Sequence, residues 1–220
     1  MFSAVNADVT QRLLEAKTLI DICSDDRLKI KENYNECILF GNVYVLLYGA
    51  LEYTLTHCVF RTIELLNNET LKLYEVQPAL WGLIYNADCM RVEQAGVNKK
   101  WENRYTLFHQ MTNTEEVHRI EDSLFPSSNG NIKETQIERI WKTFGIKSSM
   151  IEEGHEEMNG HLSTLANGRM AIAHGREKAS AVGARTDIHE LNVLYEEISR
   201  YCSYLINCFS QYIENKEYLQ

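Results

Sequence analysis

Apolar residues recur every three or four positions over most of the chain, and this spacing is typical of helices that bury one face. The predicted helices cover residues 5–24, 35–67, 71–76, 79–94, 98–111 and 134–144. The second is apolar on most sides in its first half, as expected of the central helix of a bundle. Asp25-Asp26 and Gly145 are predicted helix ends, and residues 125–131 are predicted as a loop. The pattern therefore predicts an all-α protein.

The C-terminal third contains two long helical patterns separated by a basic segment of small residues, 176–185, which we predict to be a loop. Asp187 and Glu190 have the spacing of a capping box at the start of the second helix. An apolar stripe then runs through Ile188, Leu191, Leu194, Tyr195, Ile198, Tyr201, Cys202, Leu205, Cys208, Phe209 and Tyr212. We interpret this stripe as bundle core, with the docking of a partner helix as the alternative.

Charge and composition limit the possible functions. The 220 residues carry a formal net charge of -9, so bulk charge does not attract this chain to nucleic acid or to anionic membranes, and any RNA contact must be local. The apolar stretch 37–51 is too short to span a membrane, and we expect no membrane association. Six scattered cysteines without a C-x-x-C pair indicate a reducing compartment, so we predict a cytoplasmic protein.

One polar residue interrupts the apolar face of the helix before the loop. Met158, Leu162 and Leu165 are spaced by four and three residues, and Arg169 occupies the next position on that face. A buried guanidinium must meet a carboxylate, a phosphate or a water-filled groove. His174 follows five residues later, and Gly175 is predicted to end the helix in the left-handed conformation. By themselves, these residues favour a structural or interface arginine and an ordinary helix-end histidine over a catalytic pair.

Residues 165–175 read LANGRMAIAHG, which resembles the R-x4-6-H signature of HEPN domains (higher eukaryotes and prokaryotes nucleotide-binding), in particular bacterial members that end in Ile-Ala-His-Gly. The opening of the last helix at residues 186–189 and the apolar segment 46–52 also resemble that fold. The resemblance covers residues 35–67 and 150–215. It implies a single HEPN-type helical bundle over residues 1–220, with a helical insertion at 68–149.

The resemblance implies a metal-independent endoribonuclease that needs no cofactor and acts in host defence or as a toxin. HEPN nucleases form homodimers that join two motifs, so RNA, a second copy, and an antitoxin or defence-system protein are the implied partners. A 2′-hydroxyl attacks the adjacent phosphate, while His174 transfers a proton and Arg169 stabilises the developing charge. Arg176, Lys178 and Arg185 are candidate RNA-binding residues, or else part of a solvated surface of mixed charge.

The motif departs from the family pattern at Met170, because catalytic members usually carry a polar residue directly after the arginine. Asn167 lies one turn further back and is a candidate substitute. Glu52 is an acid within an apolar helix, and we expect it either to pair with Arg169 or orient His174, or to face solvent. A noncatalytic HEPN module for dimerisation or RNA binding, and a helical interaction adaptor, are the alternative functions.

No metal site is expected, because the zincin-like stretch 155–161 separates its two histidines by six residues. Zinc binding on one helix face requires a separation of four.

Overall fold

A computed structural model describes residues 1–24, 33–126 and 132–220, and these residues confirm the all-α prediction. The helices are α1 Ser3–Ser24, α2 Asn33–Asn68, α3 Trp81–Ile84, α4 Asn86–Gln94, α5 Val97–Met111, α6 Glu134–Phe144, α7 Met158–Ala173, α8 Ala179–Gly183 and α9 Ile188–Glu214. Within the described ranges there is no strand, and extended pairing is limited to isolated bridges. The predicted end of α1 at Asp25-Asp26 and most of the loop 125–131 lie outside the described residues.

The middle of the chain is more broken than its periodicity predicts. The expected helix over 79–94 is divided into a 3-10 turn at Pro78–Leu80, then α3 and α4. The division falls at Tyr85, whose backbone (φ -96, ψ 18) leaves the helical region while its ring stays buried. The expected helix at 71–76 is only a 3-10 turn, Leu73–Glu75.

The chain divides into two compact units. The first comprises residues 1–58, 129–137 and 149–207, and the second comprises residues 59–128, 138–148 and 208–220. Both units are discontinuous in sequence. The expectation of a single domain with an insertion at 68–149 stays a prediction.

The first unit is built around the first half of α2. The side chains of Leu47, Leu51 and Leu55 are fully buried or nearly so. Helix α1 contributes its own buried row, Val5, Val9, Leu13, Ala16 and Ile20. Polar contacts also join α1 to its neighbours: the Tyr53 hydroxyl of α2 donates to Asp8 at 2.5 Å, and the Lys17 ammonium donates to Asn192 of α9 at 2.9 Å.

The second unit has an aromatic core. Phe144 packs edge-on against Phe209 and Tyr212, with ring centroids 6.2 and 6.1 Å apart. Trp141 packs edge-on against Phe209 in the same cluster, at 5.6 Å. Burial raises the pKa of the Tyr212 hydroxyl, so this tyrosine stays neutral within the core.

The start of α9 confirms the predicted capping box. The Glu190 N–H donates to the Asp187 carboxylate at 2.8 Å, and the Asp187 N–H donates to the Glu190 carboxylate at 3.1 Å. The apolar stripe of α9 is core, since its members from Leu191 to Tyr212 are buried apart from the half-buried Tyr195. The stripe is therefore not available as a docking surface for a partner protein.

The prediction that residues 176–185 form only a loop is wrong, because α8 occupies 179–183. This helix packs so closely on α2 that Gly183 lies against the backbone of Cys37 and Gly41, while Gly41 lies against the backbone of Ala179. Small residues suggest a loop by composition alone. Here they allow two helix backbones to approach each other, and burial of Ser180, Val182 and Gly183 stabilises the short helix.

Helix α2 is longer than the apolar stretch 37–51, which by itself is too short to span a membrane. By length and composition its residues 35–68 could cross a membrane, and half of its most apolar window is buried in the fold. A core helix of a bundle has the same properties.

All six cysteines lie in the described residues and are free thiols. Cys58, Cys202 and Cys208 are buried, and Cys89 on α4 is exposed. Burial raises the pKa of the Cys202 thiol to about 12, so this thiol stays protonated at neutral pH.

We predict that Gly183→Ala lowers the free energy of unfolding by about 1–3 kcal/mol, the usual cost of overpacking, because the added Cβ would overlap the Cys37 carbonyl group. Gly160→Ala is the matched control, since Gly160 is a helical glycine whose added Cβ meets nothing within 4 Å. Urea denaturation measures both variants. Equal stability of the two would contradict the close packing of α8 on α2.

Candidate functional site

The predicted motif residues lie where α7 crosses α2. Two tyrosines of α2, Tyr44 and Tyr48, are four residues apart and therefore share one helix face. A Cβ placed on Gly168 would be only 2.7 Å from the Tyr44 ring, so any larger residue at this crossing would force the ring to shift. Arg169 follows directly, with its guanidinium carbon 4.8 Å from the centre of the Tyr48 ring.

The Tyr48 ring supports the Arg169 guanidinium. This ring is almost fully buried, and its hydroxyl oxygen accepts a hydrogen bond of 2.6 Å from the Ile132 N–H. A guanidinium over an aromatic face gains cation–π attraction, which grows as water is excluded. The half-buried Arg169 therefore keeps a defined position on α2, although the sequence offered only a carboxylate, a phosphate or a groove as its environment.

Glu52 is the next residue on this face of α2, one turn after Tyr48. Burial raises the pKa of the Tyr48 hydroxyl, the Glu52 charge raises it further, and the Arg169 charge lowers it. Glu52 is half-buried. The charges of Glu52 and Arg169 therefore both act on the Tyr48 hydroxyl, whereas direct pairing between the two residues stays a prediction.

His174 lies at the end of α7, as the position of Gly175 predicts. Gly175 has φ +64, and its N–H donates to the Ile172 carbonyl at 3.0 Å while the Arg176 N–H donates to the Ala171 carbonyl at 2.9 Å. These two bonds form a Schellman motif, which fixes the chain reversal. The His174 side chain is exposed, and within the described residues no hydrogen bond involves its imidazole. The ring is thus presented to solvent from a rigid helix end.

Asn167 lines an open groove beside α7, and two residues of separation on a helix place it about 200° around the axis from Arg169. This groove has a volume of about 300 Å³ and is lined by Tyr44, Thr164, Asn167, Gly168, Ala171, Glu177, Val182 and Arg185. A second groove, of about 390 Å³, shares Tyr44, Thr164 and Arg185 and adds His161 and His189. Volumes of this size suit a nucleotide-sized ligand.

The three candidate RNA-binding cations differ in their surroundings. Arg176 and Lys178 are exposed next to the motif. The Arg185 guanidinium is paired through both of its terminal nitrogens with the Glu177 carboxylate. Its charge is therefore largely balanced, and Arg185 contributes less positive potential than the sequence suggests.

Sequence reasoning missed the roles of Tyr44 and Tyr48. Their spacing of four on an apolar helix is a weak signal, because core tyrosines show the same pattern.

Met170 is half-buried next to the motif arginine. Within the described residues, no group of three or more His, Cys, Asp or Glu side chains could hold a metal ion.

Comparison with protein families gives one match. The family model described as HEPN_MAE_28990-like HEPN matches residues 1–218. The chain belongs to the HEPN family. Searches among curated proteins and among solved structures found no match. The HEPN match is wider than the resemblance seen in the motifs, because it includes α1 and the helices between residues 68 and 149.

We predict that Tyr48→Phe lowers the free energy of unfolding at neutral pH by about 1–3 kcal/mol, because the buried Ile132 N–H loses its acceptor. Tyr53→Phe is the matched control, since it removes an exposed hydrogen bond and water replaces the lost partner. Chemical denaturation measures both variants, and an equal loss in the two would contradict the role of Tyr48.

The difference in stability between wild type and Tyr48→Phe should depend on pH. The pKa of Tyr48 is raised in the native state, so the native chain holds this proton more tightly than the unfolded chain does. The resulting stabilisation is complete below about pH 10 and is lost as the pH rises through the raised value. The advantage of wild type over Tyr48→Phe should therefore narrow above about pH 10.

Proposed function

We propose that this HEPN protein is a metal-independent endoribonuclease in which Arg169 and His174 are the catalytic residues. The observation that carries the proposal is the placement of the two residues of the family motif. Arg169 rests on Tyr48, and His174 is held at the Schellman turn with its imidazole in solvent. The family match over residues 1–218 supports a role in RNA or nucleotide chemistry.

The reaction needs two proton transfers and one site for negative charge. The 2′-oxygen forms a bond to phosphorus while the bond from phosphorus to the 5′-oxygen breaks, so the products end in a 2′,3′-cyclic phosphate and a 5′-hydroxyl. A base takes the proton of the 2′-hydroxyl, and an acid protonates the leaving 5′-oxygen. Arg169 would stabilise the charge that builds on the phosphoryl oxygens. The requirement for a 2′-hydroxyl restricts the reaction to RNA.

A homodimer would supply both proton carriers. Each chain has one motif histidine, whereas the reaction uses a base and an acid at the same time. Imidazole suits both roles, because its ordinary pKa lies nearest to neutral pH. Two copies with their motifs facing each other would provide two histidines and two arginines around one phosphate.

The proposed cellular role rests on the proposed chemistry. A nuclease that cuts RNA without a cofactor harms its own cell unless it is controlled. We therefore propose a toxin or host-defence function, with an antitoxin or defence-system protein as the controlling partner. Expression of wild type should arrest growth, whereas expression of His174→Ala should not.

A noncatalytic HEPN module is the second candidate, and Met170 is the observation that favours it. The thioether of Met170 cannot donate a hydrogen bond or exchange a proton, unlike the polar residue usual at this position. In that case the protein would bind RNA or dimerise without cleaving.

We predict that purified wild type cleaves RNA in the presence of EDTA, and that Arg169→Ala and His174→Ala each lower the rate by at least about a hundredfold. The products should carry 2′,3′-cyclic phosphate ends. Gel analysis of total RNA and tRNA measures the cleavage. Arg119→Ala is the control. Arg119 is an exposed arginine outside the motif, and its ion pair with Asp122 is long, at 3.9 Å, so its removal should disturb little.

Two outcomes separate the candidates. Cleavage that requires a divalent metal ion would contradict the mechanism. RNA that stays intact with wild type but is bound by it would favour the noncatalytic module.

We also predict that the cations beside the motif contribute unequally to RNA affinity. Arg176→Ala and Lys178→Ala should each weaken binding and reduce the slope of log affinity against log salt by about 1. Arg185→Ala should have a smaller effect, because Glu177 already balances its charge. Fluorescence anisotropy in the noncleaving His174→Ala background measures this. An Arg185→Ala effect as large as the other two would contradict the electrostatic assignment.

A further inference from the structure

Helix α5 exposes an unusually large apolar stripe. The exposed fractions are 87% for Val97, 74% for Trp101, 70% for Tyr105 and 63% for Phe108. At about 100° per residue these four side chains fall within about 80° of the helix circumference, so they form one continuous surface. Contiguous apolar surface of this kind marks a binding site in folded proteins.

These side chains are not needed for the core of their own unit. Leu107 is the buried residue of α5, and within the described α4 no residue is buried. The α4–α5 hairpin therefore presents its aromatic rings to solvent, while Leu107 is the side chain of α5 that is buried. Replacing the exposed rings should leave the fold intact.

The charge of α5 is opposite to that of the chain. The helix carries three cations, Lys99, Lys100 and Arg104, against one acid, Glu102, which gives +2 in a chain of -9. On α4, Asp88 is paired with Arg91 at 2.7 Å, and Glu93 is exposed. Within the α4–α5 hairpin, the positive surplus therefore lies on the helix that carries the aromatic stripe.

Planar cationic and imidazole groups hold two of the rings in place. The Arg104 guanidinium lies 4.9 Å from the Trp101 ring centre, and the His109 ring stacks on Tyr105 at 5.7 Å with an angle of 8° between the planes. Both aromatic residues are nevertheless at least 70% exposed, so ring surface remains for a further planar group.

The charge distinguishes the possible occupants. A second copy would bring the same +2 helix against this one, and like charges oppose such pairing. Single-stranded nucleic acid matches both features, because its bases stack on aromatic rings and its phosphates pair with cations.

We propose that α5 binds single-stranded RNA. The bases stack on Trp101, Tyr105 and Phe108, and Lys100 and Arg104, which flank the stripe, contact the phosphates. Paired RNA fits poorly, because the faces of its bases are already stacked within the duplex. The choice of RNA over DNA rests on the proposed function, whereas the surface itself concerns affinity and not cleavage.

The experiment measures binding of fluorescein-labelled oligouridine to full-length protein that carries His174→Ala, so that no cleavage occurs. Trp101→Ala/Tyr105→Ala should weaken binding by roughly tenfold for each ring removed. Tyr74→Ala is the matched control, since Tyr74 is also an exposed ring beside a cation, with the Lys72 ammonium 5.6 Å from its centre. This control should bind as the parent protein does.

Two further measurements make the test independent of one variant. RNA should quench the tryptophan fluorescence of the parent protein, and Trp101→Phe should abolish most of the quenching while it keeps most of the affinity. Lys100→Glu should weaken binding and reduce its salt dependence. Circular dichroism confirms that each variant is folded.

Unchanged affinity of the double aromatic variant would overturn the proposal. So would an α5-dependent affinity for duplex RNA equal to that for single strands, or a dimer that dissociates in this variant with no change in RNA affinity. If RNA binding depends on α5 but wild type cleaves no RNA, the α5 proposal holds and the nuclease proposal fails. If wild type cleaves RNA but binding does not depend on α5, the nuclease proposal holds and the α5 proposal fails.

Discussion

The close approach of one face of α2 to α8 and α7 determines where the candidate catalytic groups lie. Gly41 and Gly183 let the α2 and α8 backbones touch, and Gly168 lets α7 settle on the Tyr44 ring. Because protein interiors are densely packed, these contacts set the position of α7 on α2, and the Arg169 guanidinium lies over Tyr48. Backbone contacts between the helices, together with the Tyr48 ring, therefore position the motif arginine.

Local signals predicted the ends of the helices near the site, but not the contacts between helices. The Asp187–Glu190 capping box and the left-handed Gly175 depend on neighbouring backbone groups, so short sequence patterns were enough to find them. Helix α8 was missed because its stability comes from burial against α2, which composition does not show. The support of Arg169 by Tyr48 was missed for the same reason, since residues about 120 positions apart meet only in the folded chain.

Formal charge is a poor guide to how this acidic chain meets an anion. Arg185 belongs to a basic segment by sequence, but its pairing with Glu177 cancels most of its field. Arg176 and Lys178 in the same segment stay exposed. Screening at physiological salt limits the influence of the remote acidic residues to about 8 Å. The nearest neighbours of each cation, more than the total of -9, decide where phosphate is attracted.

The distribution of the thiols makes the chain suited to site-selective labelling. Alkylating reagents need a thiolate that solvent can reach. Cys58, Cys202 and Cys208 are buried, and the pKa of Cys202 is raised to about 12, whereas Cys89 is open on α4. A maleimide dye at neutral pH would therefore attach first to the α4–α5 hairpin, and the natural sequence already contains a spectroscopic handle next to its most aromatic surface.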